Sequence, residues 1–412
     1  MNIDNQVNKG ENQRTILSSS LLIALMCAPL LGISQLKFFL PILFFGLLLY
    51  YLTVLKEKQI TLRTYKITLI ALAFFSLWLL KHLYFRELDA RYFLYFSYFL
   101  ITFFIFLISI ELYKTLRLKS LINILFYTSI FTLVLSTFEF ILNFSLLSLI
   151  PLSGSGHQVG GGAWSNVNTN IVSVFIAATS IFLLGNRKLF YILASYSLVL
   201  GIALDAKIGV LCILMQLSII TLVQSSLARL AAILFISVIV PVLFFVFQEQ
   251  VMVIWRALLK ANELLAQPEL IRDLAESGQM FSSAIRIYAI LIMLDALETF
   301  TWLDWLFGQG LGSINIQFKN VNWNEPVEYF SPHFFYMEML VYLGLAYYAF
   351  YYSVIKSYVR NFPWKLLFFT APVWASIVAI SSAVYYPPIY LFLGLIIALK
   401  MDAEAEEKPS RA

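Results

Sequence analysis

The feature that most constrains this chain is a succession of apolar runs, most of them roughly 17 to 25 residues long, the length needed to cross about 30 Å of hydrocarbon. They fall at about 16–36, 38–55, 67–85, 92–112, 121–142, 167–184, 189–204, 208–224, 227–248, 334–355, 364–382 and 384–399. A backbone inside hydrocarbon must satisfy its own polar groups, so runs of this length read as helices. The expectation is an all-α polytopic membrane protein with about twelve transmembrane helices, forming a single integral membrane domain over 1–412. Composition points the same way: the sequence is 61% hydrophobic and 12% charged, with a mean hydropathy of +0.83, more apolar surface than a soluble domain can hide. The polar opening, Met1 to Thr15, leads into a run without an A-x-A-like cleavage site, which reads as a retained helix and not a signal peptide.

Charge then orients the bundle. With both termini in the cytoplasm, the inner segments collect most of the basic residues, among them Lys56, Lys58, Arg63, Lys114, Arg117, Lys119, Arg187, Lys188, Lys356, Arg360, Lys365 and Lys400. The net charge of +5 therefore reports topology and does not call for a nucleic-acid partner. Cys27 and Cys212 both lie in apolar runs, which excludes a disulfide framework and a cysteine-based metal site. Two segments between spans stand out on the expected outer face. A small loop at about 143–166 carries the glycine-rich "SGSGHQVGGGAWSN", and a large loop at about 249–333 contains amphipathic stretches such as "AIRIYAILIMLDALETF".

Several residues near that face carry chemistry, each with a plainer alternative. His333 sits at the mouth of the tenth run, where an imidazole exchanges protons near neutral pH; the alternative is an interfacial ring reaching into water. Arg286 offers a planar fork to a phosphate, or is a solvated charge on a loop helix. Lys207, at the outer end of the eighth run, either meets an anionic head group or snorkels and pairs with Asp205. Asn166, Asn168 and Asn170 open the sixth run, where helix capping is the economical role. Gly308, Gly310 and Gly312 form a G-x-G-x-G turn that follows no strand and opens no βαβ unit, so it is not a dinucleotide loop. Glu139 is a carboxyl inside a span. "ELD", Glu87 to Asp89, reads as a salt-bridged loop, and no metal-binding motif stands out.

The order of these features resembles the O-antigen ligase and Wzy-type O-antigen polymerase superfamily, lipid-linked glycan transferases of the GT-C kind. The likeness rests on an Asn-bearing helix start, a basic residue at a later outer helix end, an Arg followed by the "GQGLG" turn, and a His closing the loop in "PHFFYMEMLVYLGL". It covers residues 160 to 350 by motif. Two positions depart from the family pattern: Phe334 follows the histidine where Asn is usual, and Lys207 stands where an Arg is usual. The resemblance implies a metal-independent glycosyltransferase without a cofactor, in the bacterial inner membrane. Its donor would be an undecaprenyl-diphosphate-linked glycan and its acceptor a glycan hydroxyl, with a flippase and a chain-length regulator as partners. It further implies that Arg286 and Lys207 hold the diphosphate with Asn168, Gly310 and Gly312 nearby, and that His333 activates the acceptor. Polymerase, ligase onto lipid A-core, and flippase or transporter remain three readings.

Overall fold

The computed structural model describes residues 39–50, 62–85, 90–142, 171–204, 206–223, 281–311, 316–319, 326–329, 334–377 and 387–406, with scattered positions between 19 and 27 and between 248 and 263. Nearly all of this is helix. In chain order the helices are α1 (Phe39–Tyr50), α2 (Leu62–Phe85), α3 (Ala90–Leu142), α4 (Ile171–Thr179), α5 (Arg187–Ala203), α6 (Lys207–Leu222), α7 (Phe281–Glu298), α8 (Trp302–Phe307), α9 (Phe335–Leu343), α10 (Leu345–Tyr358), α11 (Trp364–Phe369), α12 (Ala371–Ile377) and α13 (Pro387–Glu406). The described residues are all-helical, as expected, but for one short hairpin. Strand β1 (Ile316–Lys319) pairs antiparallel with β2 (Pro326–Tyr329), Ile316 opposite Tyr329 and Lys319 opposite Pro326. "IQFK" alternates apolar and polar residues, the period of a strand and not of a helix.

Among the described residues three helical stretches are long and apolar enough to cross a membrane: Lys66–Leu83, Phe96–Leu116 and Leu118–Leu142. A fourth is added if the pair Ile171–Thr179 and Leu183–Ala203, bent by 84°, counts as one span. The chain is thus a membrane protein by its apolar helices. Among the described residues the expected spans at 38–55, 208–224, 334–355 and 364–382 contain shorter helices, and the one at 384–399 lies largely in the 20-residue α13; those at 16–36 and 227–248 lie almost wholly outside the described residues, and the loop at 143–166 wholly so.

Two connections take a form the sequence did not announce. The fourth and fifth expected spans, about 92–112 and 121–142, are both apolar stretches of one unbroken helix of 53 residues, α3. The connecting "ELYKTLRLKS" is charged but contains neither Gly nor Pro, and its residues are mostly good helix formers. At 1.5 Å per residue the contour is about 80 Å, so the two apolar halves do not fit one bilayer as a single straight rod. The first half packs along α13, where a side chain on Gly394 would come 2.5 Å from the Phe106 carbonyl oxygen. The second half meets α5, with Thr137 Oγ1 2.7 Å from the Tyr196 hydroxyl.

The tenth span is broken at Gly344, between α9 and α10. Tyr348 donates its hydroxyl to the Tyr336 carbonyl at 2.6 Å, and the rings of Phe335 and Tyr347 lie 6.4 Å apart. In a straight helix twelve residues separate Cα atoms by about 18 Å, so the chain turns sharply and α9 folds back beside α10. Aromatic rings fill the space between α2, α3 and α10: Phe350 sits 5.0 Å from Phe103, 5.5 Å from Phe74 and 6.0 Å from Trp78, centroid to centroid.

The two ends of α10 differ in chemistry. Beyond its C-terminal end, Glu404 accepts from the backbone N–H groups of Arg360 at 2.7 Å and Asn361 at 2.8 Å, and Lys356 donates to the Arg360 carbonyl at 2.8 Å. Desolvation pushes the Glu404 carboxyl up. The two backbone donors and Lys400 outweigh that effect and hold it below its ordinary range. Lys356, Arg360 and Lys400 therefore gather at one end, and α8 and α9 pack at the other.

Candidate functional site

The site is built on the last two turns of α2, "WLLKHLYF", whose Trp78, Lys81 and His82 all point into protein. Trp78 is fully buried, and its indole N–H donates to the Leu343 carbonyl at 3.0 Å. Lys81, with a side chain only 9% exposed, donates to Asp304 Oδ1 at 2.7 Å and to the Gly308 carbonyl. One helix end thus grips both α8 and the turn after it.

Asp304 is held from two sides. Thr301 caps α8 in a reciprocal box: its hydroxyl accepts from the Asp304 N–H at 3.3 Å, and Asp304 Oδ2 accepts from the Thr301 N–H at 3.1 Å and hydroxyl at 2.7 Å. Partial burial raises the Asp304 carboxyl, but hydrogen bonds from Lys81 and Thr301 and the Lys81 charge hold it below the usual carboxylate range.

The turn then plugs into the end of α9. A helix leaves its last carbonyls without internal donors, and here three of them find donors elsewhere in the chain. Val341 O receives the Gln309 N–H at 2.6 Å, Tyr342 O receives the Gly310 N–H at 3.0 Å, and Leu343 O receives Trp78. So close an approach of two backbones leaves no room for a Cβ at either crossing. Gly308 (φ 72, ψ 177) and Gly344 (φ 68, ψ −168) also occupy a region of backbone space that is essentially glycine-only. At Gly310 a Cβ would run into the imidazole of His82, which is 2% exposed.

Of the residues expected from sequence, Gly310 lies in this junction. Arg286 lies on α7, which packs against α9. Asn168, Gly312 and His333 fall outside the described residues, as does Asp205; α9 begins two residues after His333. Lys207 opens α6, which packs on α5 and α12. The motif order Arg, Gly turn and His-led helix therefore corresponds to neighbouring elements α7, α8 and α9, while Lys207 begins a different group. Among the described residues no group of three or more His, Cys, Asp or Glu side chains is arranged to hold a metal ion.

Sequence reasoning missed the α2 platform. The "TWLD" capping box was readable, but nothing local in "LLKHLY" announces a partner more than 220 residues away. It also missed Glu338, 0% exposed on α9, in a region that holds the hydroxyls of Tyr347 and Tyr390 3.4 Å apart. No protein-family model matches the chain, and neither a curated protein nor a solved structure does so.

Proposed function

We propose that the chain is a polymerase of surface-polysaccharide repeat units, O-antigen or capsule, working on the outer face of the bacterial inner membrane with both termini in the cytoplasm and about twelve spans. The donor is an undecaprenyl-diphosphate-linked glycan and the acceptor a sugar hydroxyl. The observation that carries this reading is the junction of α7, α8, the Gly308–Gly310 turn and α9 on the end of α2, at the end of α10 remote from Lys356, Arg360 and Lys400. In the reaction the acceptor oxygen attacks the anomeric carbon, the bond from that carbon to the diphosphate oxygen breaks, and the lipid diphosphate leaves with the bonding pair. Arg286, helped by Lys207, stabilises the charge that builds there, and His333 takes the acceptor proton.

The test is purified protein with a synthetic undecaprenyl-diphosphate repeat unit, following chain growth and donor binding separately. Arg286→Ala abolishes growth, and Arg286→Lys rescues it poorly because the fork is lost. His333→Ala lowers transfer by about 100- to 10,000-fold while donor binding survives. Transfer only to lipid A-core, with no chain growth, would make the protein a ligase instead. A transport reading is favoured by the fold at Gly344, the 84° bend after α4 and the buried carboxyl of Glu338, since broken helices and buried charge are devices of transporters. Substrate flux in liposomes without chain growth would select it.

A further inference from the structure

Lys81 makes the contacts that tie the site-bearing segment to the rest of the bundle. Its amine joins three things that are distant in sequence: the last two turns of α2, the capping carboxylate of α8 and the carbonyl of the first glycine in the turn. The Gln309 and Gly310 N–H groups that follow that glycine are the ones spent on the end of α9. Moving the Gly308 carbonyl therefore moves the donors that hold the C-terminal end of α9. The pair is also well placed to be stiff. It is largely shielded from water, the carboxylate is locked by Thr301 on its other oxygen, and Trp78, one turn earlier on α2, holds the Leu343 carbonyl at the same time.

We propose that Lys81 is a positioning residue for the glycan-transfer site: by holding Asp304 and the Gly308 carbonyl it sets the Gly308–Gly310 turn against the C-terminal end of α9, the junction on which the proposed function rests. This rests on the transferase reading for its kinetic consequence, and on the observed contacts alone for its structural one. Lys81 touches neither substrate nor reacting atom in this scheme. Its loss therefore lowers turnover and leaves donor affinity nearly intact, because misplacement by about 1 Å is enough to cost on the order of 100-fold in rate.

The experiment uses the full chain in detergent or nanodiscs with a single reporter, Gln309→Cys, read by maleimide labelling; the native Cys27 and Cys212 are buried. Lys81→Met leaves the Asp304 carboxylate without its lysine, so the double variant Lys81→Met with Asp304→Asn, which removes both charges, is made alongside it. The expected result is labelling of the reporter thiol at least tenfold faster in the double variant. In the same variant without the reporter, kcat falls about 100-fold, the KM for the lipid-linked donor stays within threefold, and Lys81→Arg restores part of the rate. Unchanged labelling overturns the proposal. So does faster labelling with an unchanged kcat, or a loss that appears wholly in donor KM. If the parent protein shows no transfer at all, the function proposed above falls, and the labelling comparison still decides whether Lys81 holds the turn.

Discussion

Replacing Gly344 by alanine tests the junction at its tightest point. The residue sits at φ 68 and ψ −168, where a side chain costs about 1–3 kcal/mol in backbone strain. The added Cβ would also overlap the Leu306 carbonyl and approach the Gly308 nitrogen to 2.5 Å, well inside ordinary contact. Both are backbone atoms and cannot rotate away, so the turn itself must withdraw. Withdrawal stretches the bonds from Gln309 to Val341 and from Gly310 to Tyr342, at about 1 kcal/mol each. The sum is about 3–5 kcal/mol, large for a single methyl group. Gly185 supplies the control: a Cβ there meets nothing within 4 Å and the backbone is not in the positive-φ region, so Gly185→Ala stays within about 0.5 kcal/mol of the parent. Unfolding of both variants is followed by denaturant titration in the same detergent. A Gly344→Ala protein within about 1 kcal/mol of the parent would refute the claim that the two backbones are in contact at this crossing.

Trp78→Phe keeps most of the ring but removes the donor to the Leu343 carbonyl, and is expected to cost about 1–3 kcal/mol in the same titration, with Phe74→Leu as a packing control. For Glu404 the sign follows from a folded-state pKa held below the ordinary value: its contribution is complete above about pH 5 and is lost as pH falls through the folded value, so acid destabilises the parent more than Glu404→Gln between about pH 5 and 3, measured by melting temperature against pH.

What could be read from the sequence and what could not divide along physical lines. Apolar length was enough to find α2 and both halves of α3, because hydrocarbon imposes length directly. The continuity of α3 was not foreseen because charge and helix propensity give opposite answers for "ELYKTLRLKS", and the charge was followed. The break at Gly344 was not legible either. One glycine in an apolar run is tolerated in a helix, and what makes it a break here is the supply of donors from Gln309 and Gly310, some thirty residues earlier in the chain. The motif positions of Arg286 and the glycine turn lie on α7 and just after α8, both of which pack against α9. They gave no hint of α2, since an ion pair across the bundle leaves no periodic trace.

The way the donors are used at the junction has an electrostatic consequence. Two helix C-termini, those of α8 and α9, meet there, and each carries roughly half a negative charge on its free carbonyls; Asp304 adds a full one. A place so rich in acceptors would repel a diphosphate. The turn's N–H groups and the Trp78 indole cover the end of α9, and the Lys81 amine covers Asp304 and the Gly308 carbonyl, so the acceptors are satisfied from within the protein. Lys81 is consequently committed to the protein's own carboxylate and carbonyl, and in the proposed transfer the charge on the leaving group would be met by Arg286 on the adjacent α7 or by Lys207 instead. The two lysine and arginine losses should then differ in kind. Removing Arg286 weakens donor binding in a way that added salt mimics, and removing Lys81 together with Asp304 leaves that salt dependence as it was and slows turnover. Equal salt sensitivity of the two losses would mean that Lys81 faces the substrate after all.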